Sequence, residues 1–383
     1  MHGPDATGTT PVRIAFLSGP LGRGGAEQQL YYLLSGLDRA RWSPLVIHTS
    51  RRQDEHWVEP IRDLGVDVLH VDSSRGRLGR IQQTARVLKE HRAGIVHSTL
   101  LYLNPYAAVA SRLAGTRLCI GGICEDASGR PQLRSMLWMG YHGCDVLMSN
   151  FAAAMRNVPD RVKSRTLQRV VYSGIPISEM VNGAERARVR ASFGCSGEGP
   201  VIGAVGRLDR NKNFTLLIDA FARVAPKWPA SRLVIAGDGP MRAELESYAA
   251  GLGLSGRVRF PGRVPGSAET AIFPAFDVAC LSSISEGFPI ALLEASMAGV
   301  PVVSTVCGGT PEMIADGETG YLTGQGDVGA MSAAIARLLA DPERARAMGR
   351  AGRERVTREF SVARMISSTE AVYEEALGMR VSA

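Results

Sequence analysis

Ser282-Ser283-Ile284-Ser285-Glu286-Gly287-Phe288-Pro289-Ile290-Ala291-Leu292-Leu293-Glu294-Ala295-Ser296-Met297-Ala298-Gly299 is flanked by two short apolar runs, residues 278–281 and 300–303. Pro favours the first turn of a helix and Gly the position just past its end. The segment between Pro289 and Gly299 therefore reads as a helix set between two buried strands, the repeating unit of a parallel sheet. That helix is apolar on nearly every face. One carboxylate, Glu294, interrupts it, and a second, Glu286, sits immediately before it.

Burying a lone acid in an apolar helix costs free energy unless a partner holds it. The backbone N–H groups of Gly287, Phe288 and Ile290 lack helical acceptors, and the positive end of the helix dipole points the same way. Such a turn attracts anions. Two carboxylates beside free amides suit a ligand that carries both hydroxyls and phosphates, and a nucleotide sugar is one. The plainer alternative pairs Glu294 with an arginine as structural glue and leaves Glu286 as a solvated cap.

The 383 residues suffice for two domains of ordinary size, and 45% hydrophobic against 21% charged residues gives material for real cores. No apolar run of the length needed to span a bilayer occurs. Met1 to Pro11 lacks the pattern of a signal peptide and reads as a disordered lead-in. The six cysteines (119, 124, 144, 195, 280, 307) form no CxxC pair, which points to a reducing cytoplasm. Histidines are scattered, so neither a structural metal nor a bound cofactor is expected. Residues 1–195 hold 25 Lys/Arg against 16 Asp/Glu, while the remainder holds 19 against 21. The basic excess of the first half suits an anionic surface. No aromatic-interleaved basic motif supports nucleic acid as the partner.

From the N-terminus, the apolar run 12–17 feeds the turn Gly19-Pro20-Leu21-Gly22-Arg23-Gly24-Gly25-Ala26-Glu27, and a helix follows to about Leu37. A glycine-rich turn between first strand and first helix is where phosphates approach a doubly wound sheet. The spacing is neither a dinucleotide fingerprint nor a Walker loop. Further strands are expected near 44–48, 67–70, 94–97, 117–121, 145–148 and 168–171, with helices between them, and a linker near 194–200. The same grammar restarts at Val201. The loop Gly206-Arg207-Leu208-Asp209-Arg210-Asn211-Lys212-Asn213 follows that strand, and strands recur near 233–236, 258–260, 278–281 and 300–304. In open parallel sheets ligands bind beyond the carboxyl ends of strands, so the Arg207 loop and the Glu286 turn can serve one ligand. Two helical stretches, 341–358 and 361–377, close the chain.

Gly206-Arg207-Leu208 with Lys212, followed by Glu286 and Glu294 within Ser-Glu-Gly-Phe-Pro, resembles the retaining GT-B glycosyltransferases of family 4. Gly24-Gly25-Ala26-Glu27 and Gly308-Gly309-Thr310-Pro311-Glu312 are similar to further landmarks of that group, and the resemblance runs over about residues 12–375. It implies an α/β fold of two Rossmann-like doubly wound domains facing across a cleft. An acceptor-binding domain would span 12–195 and a nucleotide-sugar-binding domain 199–360, with residues 361–383 a helix crossing back to the first.

The resemblance also implies roles. Arg207 and Lys212 would stabilise the departing diphosphate. Glu286 would contact the sugar ring, and Glu294 the ribose hydroxyls. Gly287, Phe288, Pro289 and Ile290 would face the sugar or phosphates, Gly24 and Gly25 the phosphates or acceptor, and Val264 the base. Fixed cations and helix amides would do this without a metal. Many relatives carry a histidine after the fifth strand. Here Gly122-Ile123-Cys124-Glu125-Asp126 stands there. Cys124, Glu125, His97 and Asn104 are therefore the acceptor-side candidates. The expected partners are a nucleotide-sugar donor, a sugar or lipid-linked acceptor and, at the inner face of the membrane, anionic lipid. A GT-B phosphorylase or epimerase-like enzyme and a non-catalytic sugar-nucleotide binder remain alternatives.

Overall fold

The structure, a computed structural model, describes residues 10–49, 55–72, 74, 76–125, 134–195, 197, 199–264 and 272–378, with the backbone alone at 134–136. Residues 1–9 of the expected lead-in, and Asp126 of the run after the fifth strand, lie outside these residues. The chain divides into two compact units. Unit 1 comprises residues 1–174 and 362–383, and unit 2 comprises 175–361.

Unit 1 is built on β1 (Val12–Ser18), β2 (Trp42–His48), β3 (Asp67–His70), β4 (Ile95–Ser98), β5 (Leu118–Ile123), β6 (Val146–Ser149) and β7 (Leu167–Val170). Its sheet runs β3-β2-β1-β4-β5-β6-β7, and every pairing is parallel. Strands buried on both faces become near-continuous apolar runs, which is why they were readable. Ile14, Phe16, Val46, Ile95 and Ile120 share one core with Met365, Val372, Tyr373 and Leu377 of the final helix, Val362–Leu377.

Unit 2 is built on β8 (Val201–Val205), β9 (Arg232–Ala236), β10 (Val258–Arg259), β11 (Val278–Leu281), β12 (Val302–Thr305) and β13 (Gly320–Thr323). Its order is β10-β9-β8-β11-β12-β13, again parallel throughout. The core gathers Ile202, Leu217, Phe221, Ile235, Val278 and Val303. In both sheets the first strand has successors on either side, so the direction of winding reverses beside it. The reversal falls between β1 and β4 in unit 1 and between β8 and β11 in unit 2, the position at which open parallel sheets bind their ligands.

The division between units falls at Gly174/Ile175, not at the expected 195–199. The Gly183–Ser192 helix belongs to unit 2 because its arginines are anchored there. Arg186 and Arg190 reach the two carboxylate oxygens of Asp277 at 2.7 and 2.6 Å. Their Nε groups donate to Pro274 O and Ala275 O, both at 2.8 Å. Val58–Asp63 and Arg134–Gly143 fall among the helices expected between strands, whereas Val328–Ala340 was not foreseen.

Candidate active site

The loops after β8 and β11 meet at the unit 2 reversal. After β8, Gly206 N–H bonds Ala236 O at 3.0 Å and Leu208 N–H bonds Asp238 O at 3.0 Å, which ties the loop to the turn after β9. That turn comes so close that a Cβ on Gly237 would lie 1.8 Å from Gly206 O. The Asp209 side chain accepts from Lys212 N at 3.2 Å and winds Arg210–Lys212 into one short 3-10 turn. Asn213 follows at φ +47°, a left-handed conformation that asparagine tolerates better than most residues. The turn aims Lys212 across to the next loop.

After β11, Ser282 and Ser283 are buried, Ile284 and Ser285 are exposed, and Glu286 is partly buried. Ser282 Oγ donates to Lys212 O at 2.8 Å, Ile284 N to Asn211 O at 2.8 Å, and Asn211 Nδ2 to Ser285 O at 2.7 Å. These bonds sew the two loops together. The result is a pair: Lys212 Nζ lies 2.5 Å from Glu286 Oε1, with side chains 20% and 14% exposed. Ser283 Oγ donates to the same carboxylate oxygen at 2.6 Å.

Below Glu286 the Ile290–Met297 helix begins after the Pro289 N-cap, and Gly299 ends it at φ +72°. Gly287 and Ile290 are partly buried, and Phe288 and Pro289 are buried. Phe288 packs on Phe360 with ring centroids 5.6 Å apart. Glu294 is 9% exposed, on the buried side of the helix. The turn after β12 presses on the same loop, since Gly309 N–H bonds Gly287 O at 2.7 Å. A Cβ on Gly308 would lie 1.9 Å from Glu286 O.

Arg207 stands apart. Its side chain is 65% exposed, and its Nε is 3.8 Å from Asp209 Oδ2. Val264, partly buried, ends the described part of the loop after β10. Sequence reasoning did not single out the residues that hold the loops together: Ser283, Asn211, Thr305 and Gln325. Thr305 Oγ1 donates to Ser283 O at 2.7 Å, and Gln325 Nε2 donates to Ile284 O at 2.7 Å and Val306 O at 3.1 Å. No spacing rule reveals an amide that bridges two carbonyls from three strands' loops.

In unit 1, Gly24 caps the Gly25–Gly36 helix with extended geometry, and the Glu27 carboxylate lies over it, where a Cβ would meet Oε2 at 2.2 Å. Cys124 and Glu125 end β5 half-buried. Burial pushes the Cys124 thiol up to about 11, so it is no nucleophile. Two acceptor candidates are corrected. His97 is 4% exposed and wedged beside Phe16 and Tyr373, with Nδ1 2.7 Å from the Tyr373 hydroxyl. Asn104 is fully buried and donates to Gly122 O at 3.0 Å. Both are packed into unit 1, and the Asn104 Oδ1 atom is buried without a hydrogen-bond partner.

Fold and site together define the class, an α/β chain of GT-B type with one doubly wound parallel sheet in each of two units. Anabaena HepE, solved with UDP and glucose, superposes over 95% of this chain and all of its own with a TM-score of 0.84 at 21% identity. Sucrose-phosphate synthase of Thermosynechococcus elongatus does so over 96% with a TM-score of 0.78 at 19% identity. Residues 185–355, nearly all of unit 2, match the family described as glycosyl transferases group 1. This chain is 39% identical over 175 residues to a GDP-mannose-dependent alpha-(1-6)-phosphatidylinositol monomannoside mannosyltransferase of Mycolicibacterium smegmatis. It is 34% identical over 196 residues to a 2-deoxystreptamine glucosyltransferase of Streptomyces kanamyceticus. These matches span 46% and 51% of the relatives' length, about half. An N-acetyl-alpha-D-glucosaminyl L-malate synthase of Bacillus anthracis matches over 78% of this chain and 79% of its own at 27% identity.

Proposed function

We propose that the chain is a retaining glycosyltransferase that moves a sugar from a nucleoside-diphosphate sugar to an acceptor hydroxyl. The observation that carries this reading is the Lys212–Glu286 pair at 2.5 Å, held where the loops after β8 and β11 meet. When the C–O bond to the diphosphate breaks, its electron pair goes to the phosphate oxygen. Lys212 and the exposed Arg207 supply cations for that charge, and the amides at the start of the Ile290–Met297 helix add fixed dipoles. Positive charge grows on the sugar ring at the same moment, and the Glu286 carboxylate opposes it. For retention the acceptor oxygen bonds the anomeric carbon on the face the diphosphate leaves, and the departing phosphate is the nearest base for its proton. Glu294 holds the ribose hydroxyls, Val264 borders the base, and Gly24 and Gly25 admit the phosphates or acceptor. No metal or cofactor has a part in this scheme.

The named relatives support the reading. They include enzymes that use GDP-mannose, and a structural neighbour was solved with UDP-glucose. We place the activity in bacterial surface polysaccharide or glycolipid assembly on the cytoplasmic side of the membrane. The acceptor is a sugar or lipid-linked sugar, and unit 1 makes the peripheral contact with anionic lipid. No helix among the described residues is long and apolar enough to cross a membrane. The test is turnover of UDP-, GDP- and ADP-sugars, read as release of the nucleoside diphosphate with and without acceptor. One donor should be consumed well above the others. Binding without consumption of any donor would leave a sugar-nucleotide binder in place of an enzyme.

A further inference from the structure

A second polar cavity lies in unit 1, outside the residues assigned above. It has a volume of about 220 Å³ and is lined by His48, Glu55, Val58, Glu59, Arg62, Val68 and His70. His48 and His70 are the last residues of β2 and β3 and face each other in register, with ring centroids 4.9 Å apart. Two of the cavity's polar atoms are buried without a hydrogen-bond partner, His70 Nε2 and Glu55 Oε1. The ring nitrogen of His48 stands 3.8 Å from that Glu55 oxygen, beyond hydrogen-bond reach. Buried groups left unpaired are costly and rare in folded proteins, and two at the edge of one cavity call for a ligand.

The charges indicate which ligand. Arg62 is already engaged by Glu59 at 2.7 Å, on an exposed rim. The Glu55 carboxylate is left as the net charge of a cavity whose other polar walls are imidazoles. An anion is therefore disfavoured, and hydrogen-bond donors are favoured, an ammonium above a hydroxyl. The place matters too. Trp57 N–H bonds Leu21 O at 3.0 Å, and Thr49 N–H bonds Ser18 O at 3.2 Å, so the cavity's segment is fastened to the glycine-rich turn after β1. Neighbouring strands are ~4.8 Å apart, which puts the cavity about one sugar ring to the side of that turn.

We infer that this cavity is an acceptor subsite for a hydroxylated ring that bears an amino group. The inference rests on the glycosyltransferase reading for its biological sense, but the binding itself does not depend on it. The test uses the full chain and three probes of equal size at neutral pH: glucosamine, glucose and glucuronate, each titrated calorimetrically without donor. Glucosamine should bind about tenfold more tightly than glucose, as a charge-assisted bond adds to a neutral one, and glucuronate should not bind. Glu55→Gln should abolish the preference for the amine, while Glu90→Gln, an exposed carboxylate outside the cavity, should leave it. Binding of glucuronate as tight as glucosamine, no binding by any probe, or a folded Glu55→Gln that keeps the preference would each overturn the inference. UDP and GDP titrated in parallel report on the donor site alone, so a failure there is separate from a failure here.

Discussion

Glu286 Oε1 receives two donors at once, Lys212 Nζ at 2.5 Å and Ser283 Oγ at 2.6 Å. Its position is thus fixed before any ligand arrives, as preorganised electrostatics require. Lys212→Ala and Arg207→Ala should each lower turnover by roughly 10² or more while leaving the fold intact. Glu286→Gln should lower kcat more than it raises the donor KM, the mark of an interaction made mainly in the transition state. Steady-state kinetics on the preferred donor decide this, and a change in KM alone would reassign Glu286 to orienting hydroxyls. His97 gives a prediction of another kind. Burial lowers its pKa from 6.5 to about 4. Between those values the unfolded chain binds a proton that the folded chain refuses. Stability is therefore full above the unfolded value and falls as pH drops toward the folded one, by up to about 3 kcal/mol. His97→Gln keeps an acceptor near Tyr373, and its urea midpoint should change less between pH 7 and pH 5 than that of the parent. The roles of these residues were unequally legible. Lys212 and Glu286 sit in motifs, but a strand-end histidine does not announce that a tyrosine 276 positions later will close over it.

Among elements, the two turns that crowd the donor loops carry the tightest constraints. Gly308 has φ +50°, and a Cβ there would strike the carbonyl of Glu286 at 1.9 Å and that of Gly287 at 2.6 Å. Those are backbone atoms of the loop that presents the carboxylate, so the loop must move. Gly308→Ala should reduce kcat while thermal melting shows unit 2 still folded. An unchanged kcat would mean that the loop tolerates displacement. Most strands and helices were legible because buried parallel strands are short apolar runs and the helices between them alternate regularly. The misplaced boundary has a physical cause. Gly183–Ser192 reads as a basic solvated helix, and its anchor Asp277 lies 87 and 91 residues away from Arg190 and Arg186. Val58–Asp63 carries Pro60 in its first turn, a position that accepts proline where a helix interior does not. Val328–Ala340 did carry a signal: Asp327 caps it by accepting from Ala330 N at 2.8 Å.

For the whole molecule, the charge distribution sharpens once the true units are known. Counted over residues 1–174 and 362–383, unit 1 holds 24 Lys/Arg against 17 Asp/Glu, and unit 2 holds 20 of each. The formal excess of +7 therefore sits wholly on unit 1. Arg156, Arg161 and Arg165 are exposed there. If they meet anionic lipid, co-sedimentation with phosphatidylglycerol vesicles should weaken as salt rises, because exposed charges are screened beyond about 8 Å at physiological ionic strength. Reversing the three to Glu should lower it further. Absence of binding at low salt would point to a water-soluble acceptor.

The chain passes between units twice, at Gly174/Ile175 and at Ser361/Val362, and Ile175 and Ser361 form a parallel bridge. The last helix of unit 1 is therefore translated after all of unit 2. On the ribosome unit 2 is complete as soon as residue 361 has emerged, while unit 1, begun first, still lacks Met365, Val372, Tyr373 and Leu377 from its core. Translation proceeds at about 5–20 residues per second, so the wait while unit 2 is made is on the order of ten seconds or more. Nascent chains stalled with residue 361 exposed should yield a protease-resistant unit 2 and a unit 1 that is cleaved. Release of the final helix should then protect unit 1, and Tyr373 closing on His97 is the step that completes the protein.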